Sequence, residues 1–391
     1  MKRKIQVLSY GVDMDNQKVM VIDGHEVSFE EGETILQVAQ RNGFDIPTLC
    51  HLKNASPTGA CRICVVEVEG DKNLAASCST SAVPNMVVRT ESPSVVQSRR
   101  TNLELLLASG DHNCLVQDMS PDNWTDFQLK TMEEEDHFAL CPAYGDCRLQ
   151  DLAVRYQIRE TTFTPSETRY PMEKASPFIV RDFSRCIMCG RCVQACNDVQ
   201  VNQAISYGYR GAESKIVTVG DRPYINSDCV FCGECLQACP VGALVAKKDL
   251  SEKRPKSEPK KIRTTCSYCG VGCQLYLHVS EGRVVKVTGV EDVGPNYGSL
   301  CVKGRFGFDF VHSKERLTKP LIKENGHFRE ASWDEALSFV AEKLMAIKKT
   351  SGPDAIALLS SARITNEENY LAQKLTRAVL GTNNIDHCAR L

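Results

Sequence analysis

The sequence predicts an α+β protein built from several domains. A chain of 391 residues exceeds the size that one hydrophobic core usually serves. Short β-branched runs with turn signals come first, whereas the C-terminal part alternates strand-like runs with helical ones. Twenty cysteines fall in compact groups along the chain. These observations predict small cysteine-bearing domains followed by the opening of an α/β domain.

The N-terminal region predicts a small mixed fold. Two β-branched runs, 19–22 and 26–29, flank Asp23-Gly24, which is a strong hairpin turn signal. The elements expected next are a helix from its cap Thr34 to Gly43, and strands at 65–68 and 86–88.

Further elements follow from apolar spacing. Helices are predicted at 101–110, 149–156, 333–348 and 367–380, and strands at 283–287 and 355–359. The polar stretch 116–138 is interpreted as a surface insertion. A charged, Pro-containing stretch between 249 and 263 is typical of a solvated linker.

Charge and segment patterns exclude several classes of function. Lys plus Arg number 47 and Asp plus Glu 49, so the net charge of −2 predicts neither nucleic acid nor an anionic membrane as a partner. The first ten residues lack a secretory signal, and no apolar run reaches the ~18 residues of a membrane span. We therefore expect a cytoplasmic protein in which the cysteines bind metal rather than form disulfides.

The strongest signal is an internal repeat of cysteines between residues 180 and 246. Each copy has the two-two-three spacing of bacterial ferredoxins, in which the fourth cysteine of one copy ligates the cluster of the other. The predicted ligand sets are Cys186, Cys189, Cys192 with Cys239, and Cys229, Cys232, Cys235 with Cys196. Asn197 replaces the proline that usually follows the first copy, which alters a turn but no ligand.

An earlier group predicts a two-iron centre. Its members are Cys50, Cys61, Cys64 and Cys78. This loop resembles ferredoxin-like [2Fe–2S] sites, and Gly59 and Ala60 keep it small enough for backbone N–H groups to approach the sulfurs. A structural zinc site is the alternative.

A further group contains Cys114, Cys141 and Cys147 together with a histidine. It resembles the [4Fe–4S] site with one histidine and three cysteines in the large subunits of respiratory NADH dehydrogenase. The insertion interrupts the usual spacing. Either His112 or His137 could supply the imidazole; we favour His112, because His137 ends the insertion.

The last group, Cys266, Cys269, Cys273 and Cys301, resembles the [4Fe–4S] domain that opens molybdopterin-dependent formate dehydrogenases. Zinc is again the alternative. Lys303 matches a family lysine that lies between this cluster and the pterin, which implies a role in cofactor binding and electron passage; a solvated lysine is the competing interpretation.

The resemblance to formate dehydrogenases covers essentially the whole chain. Its final run, from Thr382 to Leu391, resembles the segment that precedes the metal-binding cysteine or selenocysteine of the family. We therefore expect that a selenocysteine codon was read as a stop, and that this fragment alone is inactive toward formate. Cys388 is left without a group, and it falls four places short of that ligand.

The resemblance implies one [2Fe–2S] cluster, four [4Fe–4S] clusters and, in the full-length protein, bis-molybdopterin guanine dinucleotide with Mo or W. Formate would be oxidised to carbon dioxide. Electrons would pass singly from the Cys266 cluster through the ferredoxin pair to the histidine-ligated and two-iron clusters. The expected partners are flavin- and NAD-binding diaphorase-type subunits, or a ferredoxin or hydrogenase.

Two alternatives stay open at this point. One is a large subunit of NADH:quinone oxidoreductase type, and the other is a non-catalytic electron-transfer subunit.

The domains expected from the resemblance are 17–95 ([2Fe–2S]), 96–160 (one histidine and three cysteines), 176–248 (two [4Fe–4S]), a linker at 249–261, 262–318 ([4Fe–4S] of molybdopterin enzymes) and 319–391 (start of the molybdopterin α/β domain).

Overall fold

The structure is a computed structural model that describes residues 18–110, 112, 143, 146–164, 170–248 and 259–387. It forms two compact units: unit 1 is Met1–Asp228 with Ala238–Lys256, and unit 2 is Cys229–Gln237 with Ser257–Leu391. The predicted insertion, His137, Cys114, Cys141, Cys388 and most of the predicted linker lie outside the described residues.

Unit 1 begins with a five-stranded sheet. Its strands are β1 (Val19–Ile22), β2 (His25–Ser28), β3 (Val65–Val68), β4 (Ala75–Ala76) and β5 (Val87–Arg89), in the order β2-β1-β5-β3-β4. Strands β1 and β5 run parallel, and the other pairs are antiparallel. Asp23 and Gly24 both have positive φ, as the predicted two-residue hairpin requires.

Helix α1 (Ile35–Arg41) packs its apolar side against this sheet. Thr34 and Gln37 form a capping box, which satisfies two backbone N–H groups that a helix start otherwise leaves unpaired. The sequence predicted this helix and its cap Thr34. The core beneath the helix contains Cys64 and Cys78.

Two longer helices follow in unit 1, α2 (Pro93–Ala108) and α3 (Arg148–Arg155). The prediction started α2 at residue 101, which was wrong by two turns. Ser92 caps the helix and Pro93 occupies its first position, where a missing N–H costs nothing.

The repeat region of unit 1 is built on two small antiparallel pairs. The strands are β6 (Ile179–Arg181) with β9 (Leu244–Ala246), and β7 (Ser206–Gly208) with β8 (Lys215–Val217). Helix α4 (Arg191–Gln194) continues into a π-helical turn, Ala195–Val199. Pairing of β6 with β9 joins the two ends of the repeat region.

In unit 2, helix α5 (Glu234–Ala238) starts within Cys229–Gln237. An antiparallel sheet then contains β10 (Lys260–Thr265), β11 (Gln274–Ser280) and β12 (Arg283–Gly289), followed by the short helix α6 (Val302–Phe306). The predicted linker extended past residue 259, which was wrong, because Lys260 and Lys261 already pair with β11.

The rest of unit 2 has the predicted α/β character. Its elements are β13 (Leu321–Glu324), β14 (His327–Glu330), α7 (Trp333–Ser351), β15 (Leu358–Ser360), α8 (Asn366–Lys374) with a π-helical extension to Leu380, and β16 (Ile385–His387). Strands β15 and β16 are parallel and are joined through α8, which makes a βαβ unit. Within the described ranges, no helix combines the length and apolarity needed to cross a bilayer.

One buried arginine joins three elements of unit 1. Arg99 of α2 is fully buried and donates to the Val65 carbonyl of β3, the Tyr156 hydroxyl after α3 and the Glu91 carboxylate, each at 2.8 Å. These bonds satisfy both terminal nitrogens of the guanidinium, which lowers the cost of burying its charge. Arg99 therefore holds the sheet, α2 and α3 together.

We predict that Arg99→Met lowers the free energy of unfolding of the chain by about 2–3 kcal/mol, because it leaves the buried carbonyl and hydroxyl without a donor. Anaerobic urea denaturation monitored by circular dichroism measures this. Arg89→Met is the matched control, since Arg89 is 58% exposed and its ion pair with Glu67 lies at the surface. Its cost should stay below about 1 kcal/mol. Equal losses in both variants would contradict the assigned role of Arg99.

Candidate metal centres

The first cysteine group is gathered in the core of the N-terminal fold. Cys50, Cys61 and Cys64 lie on the loop between α1 and β3, and Cys78 follows β4. All four are at most 8% exposed. The thiols form two hydrogen-bonded pairs, Cys50 with Cys61 and Cys64 with Cys78.

Each pair contains one sulfur that ionises readily. Donation from the Cys61 thiol, helped by Thr58, lowers the pKa of Cys50 to about 5. Donation from the Cys78 thiol lowers the pKa of Cys64 to about 6. The same pairing raises the pKa of Cys61 and Cys78. The thiolate is the form of cysteine that binds metal. In each pair one proton lies between the two sulfurs, and metal binding would release it.

Backbone N–H groups approach these sulfurs, as the sequence predicted. The Cys61 N–H donates to Cys50 Sγ at 3.5 Å. Gly59 has φ +60°, a left-handed conformation that glycine adopts without steric cost. Such donors stabilise negative charge on sulfur.

A second group lines one cavity in unit 1. Its sulfurs belong to Cys186, Cys189, Cys192 and Cys239, and its other walls include Arg181, Ile216 and Tyr224. The structure thus brings the first three cysteines of one motif to the fourth cysteine of the other, as the ferredoxin spacing predicted.

Burial dominates the electrostatics of this cavity. It raises the pKa of Cys186 to about 11 and that of Cys189 to about 12, and it raises the pKa of Cys239 as well. The positive charge of Arg191 acts in the opposite direction on Cys189 and Cys239. Four thiolates in so apolar a site require strong positive charge between them, which a bound iron–sulfur cluster supplies.

The two cysteine motifs share a backbone path. Met188 and Phe231 occupy equivalent positions and have φ of 52° and 54°, and Gly190 and Gly233 follow with φ of 78° and 75°. In the second copy, the Phe231 N–H donates to Cys229 Sγ at 3.4 Å. The internal repeat seen in the sequence is therefore a repeat of loop geometry.

The second predicted ferredoxin set is divided between the units. Cys196 is buried in unit 1, in the π-helical turn after α4, whereas Cys229, Cys232 and Cys235 belong to unit 2. Their joint ligation stays a prediction.

The group with one histidine is described in part. Cys147 is 5% exposed at the start of α3, with Sγ 3.7 Å from the Pro240 carbonyl oxygen, and the Arg148 N–H donates to the same oxygen at 2.9 Å. The His112 N–H donates to the Gly110 carbonyl at 3.0 Å. The choice between His112 and His137 stays a prediction.

Cysteines of three groups share one hydrophobic core in unit 1. This core buries Cys50, Cys61, Cys147 and Cys189, and Cys186 and Cys239 pack against it. The two-iron, histidine-containing and first ferredoxin groups are therefore neighbours in one apolar medium.

The last group lies at one end of the unit 2 sheet. Cys266 and Cys273 flank its loop, where the Cys266 N–H donates to the Cys273 carbonyl at 2.8 Å, and Cys301 precedes α6. Burial, together with the nearby Cys269 and Cys301, raises the pKa of Cys266 and Cys273. Lys303 is exposed on α6, two residues after Cys301.

Within the described part of the chain, no group of three or more His, Cys, Asp or Glu side chains is gathered for a single metal ion. Where thiols do come together, backbone N–H groups donate to sulfur, as at Cys50 and Cys229, and such donors suit the ligands of iron–sulfur clusters. Two buried arginines beside these groups, Arg181 and Arg305, escaped prediction. An isolated arginine in a sequence gives no sign that it is buried.

Comparison with protein families identifies four regions. Residues 19–93 match a 2Fe-2S iron-sulfur cluster binding domain, and 185–243 match a 4Fe-4S dicluster domain. Residues 259–313 match the molybdopterin oxidoreductase Fe4S4 domain, and 316–391 match molybdopterin oxidoreductase. The predicted succession of these domains is confirmed; the histidine-containing domain at 96–160 stays a prediction.

Similar proteins occur in Bacillus subtilis and Staphylococcus aureus. "Probable oxidoreductase YjgC" of Bacillus subtilis (strain 168) is 32% identical, with 96% of this chain and 40% of that protein aligned. "Putative formate dehydrogenase YrhE" of the same strain is 34% identical with the same shares. A "Putative formate dehydrogenase" of Staphylococcus aureus (strain USA300) is 31% identical, and 39% of its length is aligned. The chain thus spans about two fifths of the length of these relatives.

Among solved structures, a similar chain occurs in the crystal structure of NAD+-reducing [NiFe]-hydrogenase in the H2-reduced state. The TM-score is 0.49 at 30% sequence identity, over 59% of this chain and 87% of that one. The family matches and the Bacillus and Staphylococcus relatives show that the chain belongs to the molybdopterin oxidoreductases, in a formate dehydrogenase-like form with N-terminal iron–sulfur domains.

Proposed function

We propose that this chain is the N-terminal, electron-transferring part of the catalytic subunit of a formate dehydrogenase. The cavity that collects Cys186, Cys189, Cys192 and Cys239 carries the proposal. Its four thiols come from two distant motifs and meet in an apolar site, which suits a four-iron cluster in a relay. The relatives named as formate dehydrogenases support formate as the substrate.

The proposed relay has five centres. One [2Fe–2S] cluster uses the Cys50 group, and [4Fe–4S] clusters use the Cys147 group with His112, the two ferredoxin sets, and the Cys266 group. The two thiol pairs of the Cys50 group support the first assignment, because each iron of a two-iron cluster would take one pair.

The described residues would tune the relay by burial and hydrogen bonding. Apolar surroundings keep water from the sulfurs, and N–H donors such as that of Cys61 favour the reduced, more negative cluster. A shared core keeps the unit 1 groups close together. Single electrons can then move between them without large rearrangement.

At the other end of the relay, Lys303 would contact the pterin side of the Cys266 group. A bis-molybdopterin guanine dinucleotide with Mo or W would supply the two-electron oxidation of formate to carbon dioxide when it is bound. The matches over 259–313 and 316–391 support this reading over an NADH:quinone oxidoreductase subunit.

Activity and partners of the whole protein belong to the proposal, because the chain spans about two fifths of its relatives. We propose a cytoplasmic enzyme that passes electrons to a flavin- and NAD-binding diaphorase-type subunit, or to a ferredoxin or hydrogenase partner. An N-terminal two-iron domain of the observed kind suits such a partner.

Anaerobic reconstitution tests the cluster set. The wild-type chain should bind about 18 iron atoms, the sum of one two-iron and four four-iron clusters. Cys239→Ser should remove the same four-iron electron paramagnetic resonance (EPR) signal as Cys189→Ser, whereas Cys196→Ser should remove the signal lost in Cys235→Ser. Cys388→Ser is the control and should change nothing, since no group uses Cys388.

A wild-type iron content far below that number would overturn the proposed relay. Loss of one common signal in Cys239→Ser and Cys235→Ser would overturn the exchange of fourth ligands between the motifs.

Formate-dependent dye reduction by the native full-length complex tests the substrate. We expect Lys303→Met to slow cluster reduction by formate about tenfold while the pterin content stays normal, because a fixed cation on the electron path is lost. Rapid-freeze EPR measures this rate. Lys314→Met removes another exposed lysine of unit 2 and is the control. A complex that contains pterin but does not oxidise formate would refute the proposal.

A further inference from the structure

Arg305 places a buried positive charge in unit 2. It lies on α6, four residues after Cys301, and its side chain is 3% exposed. Its Nη2 donates to Glu234 Oε2 at 2.7 Å, and the Glu234 side chain is itself only 11% exposed. A guanidinium taken out of water is strongly destabilising unless a carboxylate and further acceptors surround it.

The other donors of Arg305 reach the same segment. Nε donates to the Cys232 carbonyl at 2.7 Å, and Nη1 donates to Gln237 Oε1 at 2.6 Å. Gln237 Oε1 also accepts from the Gly289 N–H at the end of β12, at 3.2 Å. All three acceptors of the guanidinium thus belong to Cys229–Gln237, the segment that carries three predicted cluster ligands.

The segment leaves room for this side chain. Gly233 has φ +75°, and a Cβ built on it would lie 2.9 Å from Arg305 Nε and 2.8 Å from Phe306 Cζ. No larger residue fits there without displacing the guanidinium. The close approach of the loop to α6 therefore depends on this glycine.

Two predicted cluster groups surround Arg305. Burial lowers the pKa of its guanidinium, and Glu234 and the sulfurs of Cys232, Cys235 and Cys301 oppose that effect. Cys232 and Cys235 belong to one group, and Cys301 belongs to the other. Arginine keeps its proton in proteins, so its charge is a fixed feature of this site.

We propose that Arg305 is a positioning residue that ties the 229–235 cysteines to the domain of Cys266 and Cys301 and, balanced by Glu234, sets the reduction potentials of both clusters. The inference rests on the proposed function, which supplies the clusters. A reduced cluster carries one more negative charge than an oxidised one. The cation of Arg305 therefore favours reduction, and the carboxylate of Glu234 opposes it.

Two substitutions separate charge from shape. Glu234→Gln keeps an oxygen acceptor for Arg305 and leaves the cation unbalanced, so the reduction potentials of both clusters should rise. Arg305→Met leaves the buried carboxylate unbalanced, so the potential should fall. We expect each change to be about tenfold in the ratio of reduced to oxidised cluster at fixed potential, equivalent to about 59 mV for a one-electron couple.

Potentiometric titration of the reconstituted chain, followed by EPR spectroscopy, measures these shifts. Arg305→Lys keeps the charge and should stay within about threefold of the wild type. Lys314→Met removes an exposed cation of the same unit and should leave the potentials unchanged. If Arg305→Met does not assemble its clusters, Glu234→Gln and Arg305→Lys still carry the test.

Shifts of opposite sign in the two variants would support the inference, because a merely structural role would move both the same way. Four-iron signals with unchanged potentials in Glu234→Gln, or shifts of one sign in both, would overturn it while leaving the proposed relay intact. A wild-type chain without four-iron signals would instead overturn the proposed function.

Discussion

The arrangement of this protein depends on the free-energy cost of placing thiolates in an apolar core. Burial, more than any other cause, raises the pKa of Cys186 to about 11 and that of Cys189 to about 12. Hydrogen bonds from neighbouring thiols offset that cost at Cys50 and Cys64. At Cys189 and Cys239 the positive charge of Arg191 offsets only part of that cost, and a bound iron–sulfur cluster would supply the rest. The short helices and left-handed turns around the cysteines serve to bring sulfurs of distant segments to one place.

Local chemistry in the sequence predicted much of the fold. Asp23-Gly24 identifies the hairpin, Thr34 identifies the start of α1, and the cysteine spacing pairs Cys239 with the first motif. Each of these features acts within a few residues or follows a known ligand pattern. They are therefore readable without tertiary information.

The prediction from sequence failed in two situations. In one, the interaction that decides the structure joins residues far apart in the chain; in the other, a correct local signal was given too little weight. The start of α2 was misplaced, because its leucine spacing was weighted above the Ser92-Pro93 start signal. Lys260 was assigned to a linker, although pairing with β11 makes it part of a strand. Arg99 and Arg305 are both buried by contacts with residues far away in sequence. From sequence alone, every arginine is expected at the surface.

Equivalence of the two ferredoxin loops extends beyond their ligands. Met188 and Phe231 are chemically different residues, yet both hold a backbone conformation that costs roughly 1 kcal/mol for a residue with a Cβ. The two loops thus keep the same path of the main chain although their side chains differ. What repeats is a conformation of the main chain that directs the N–H groups of Met188 and Phe231 toward the sulfurs of Cys186 and Cys229. Because the side chains at these positions do not set that conformation, each half can carry a side chain that suits its own surroundings.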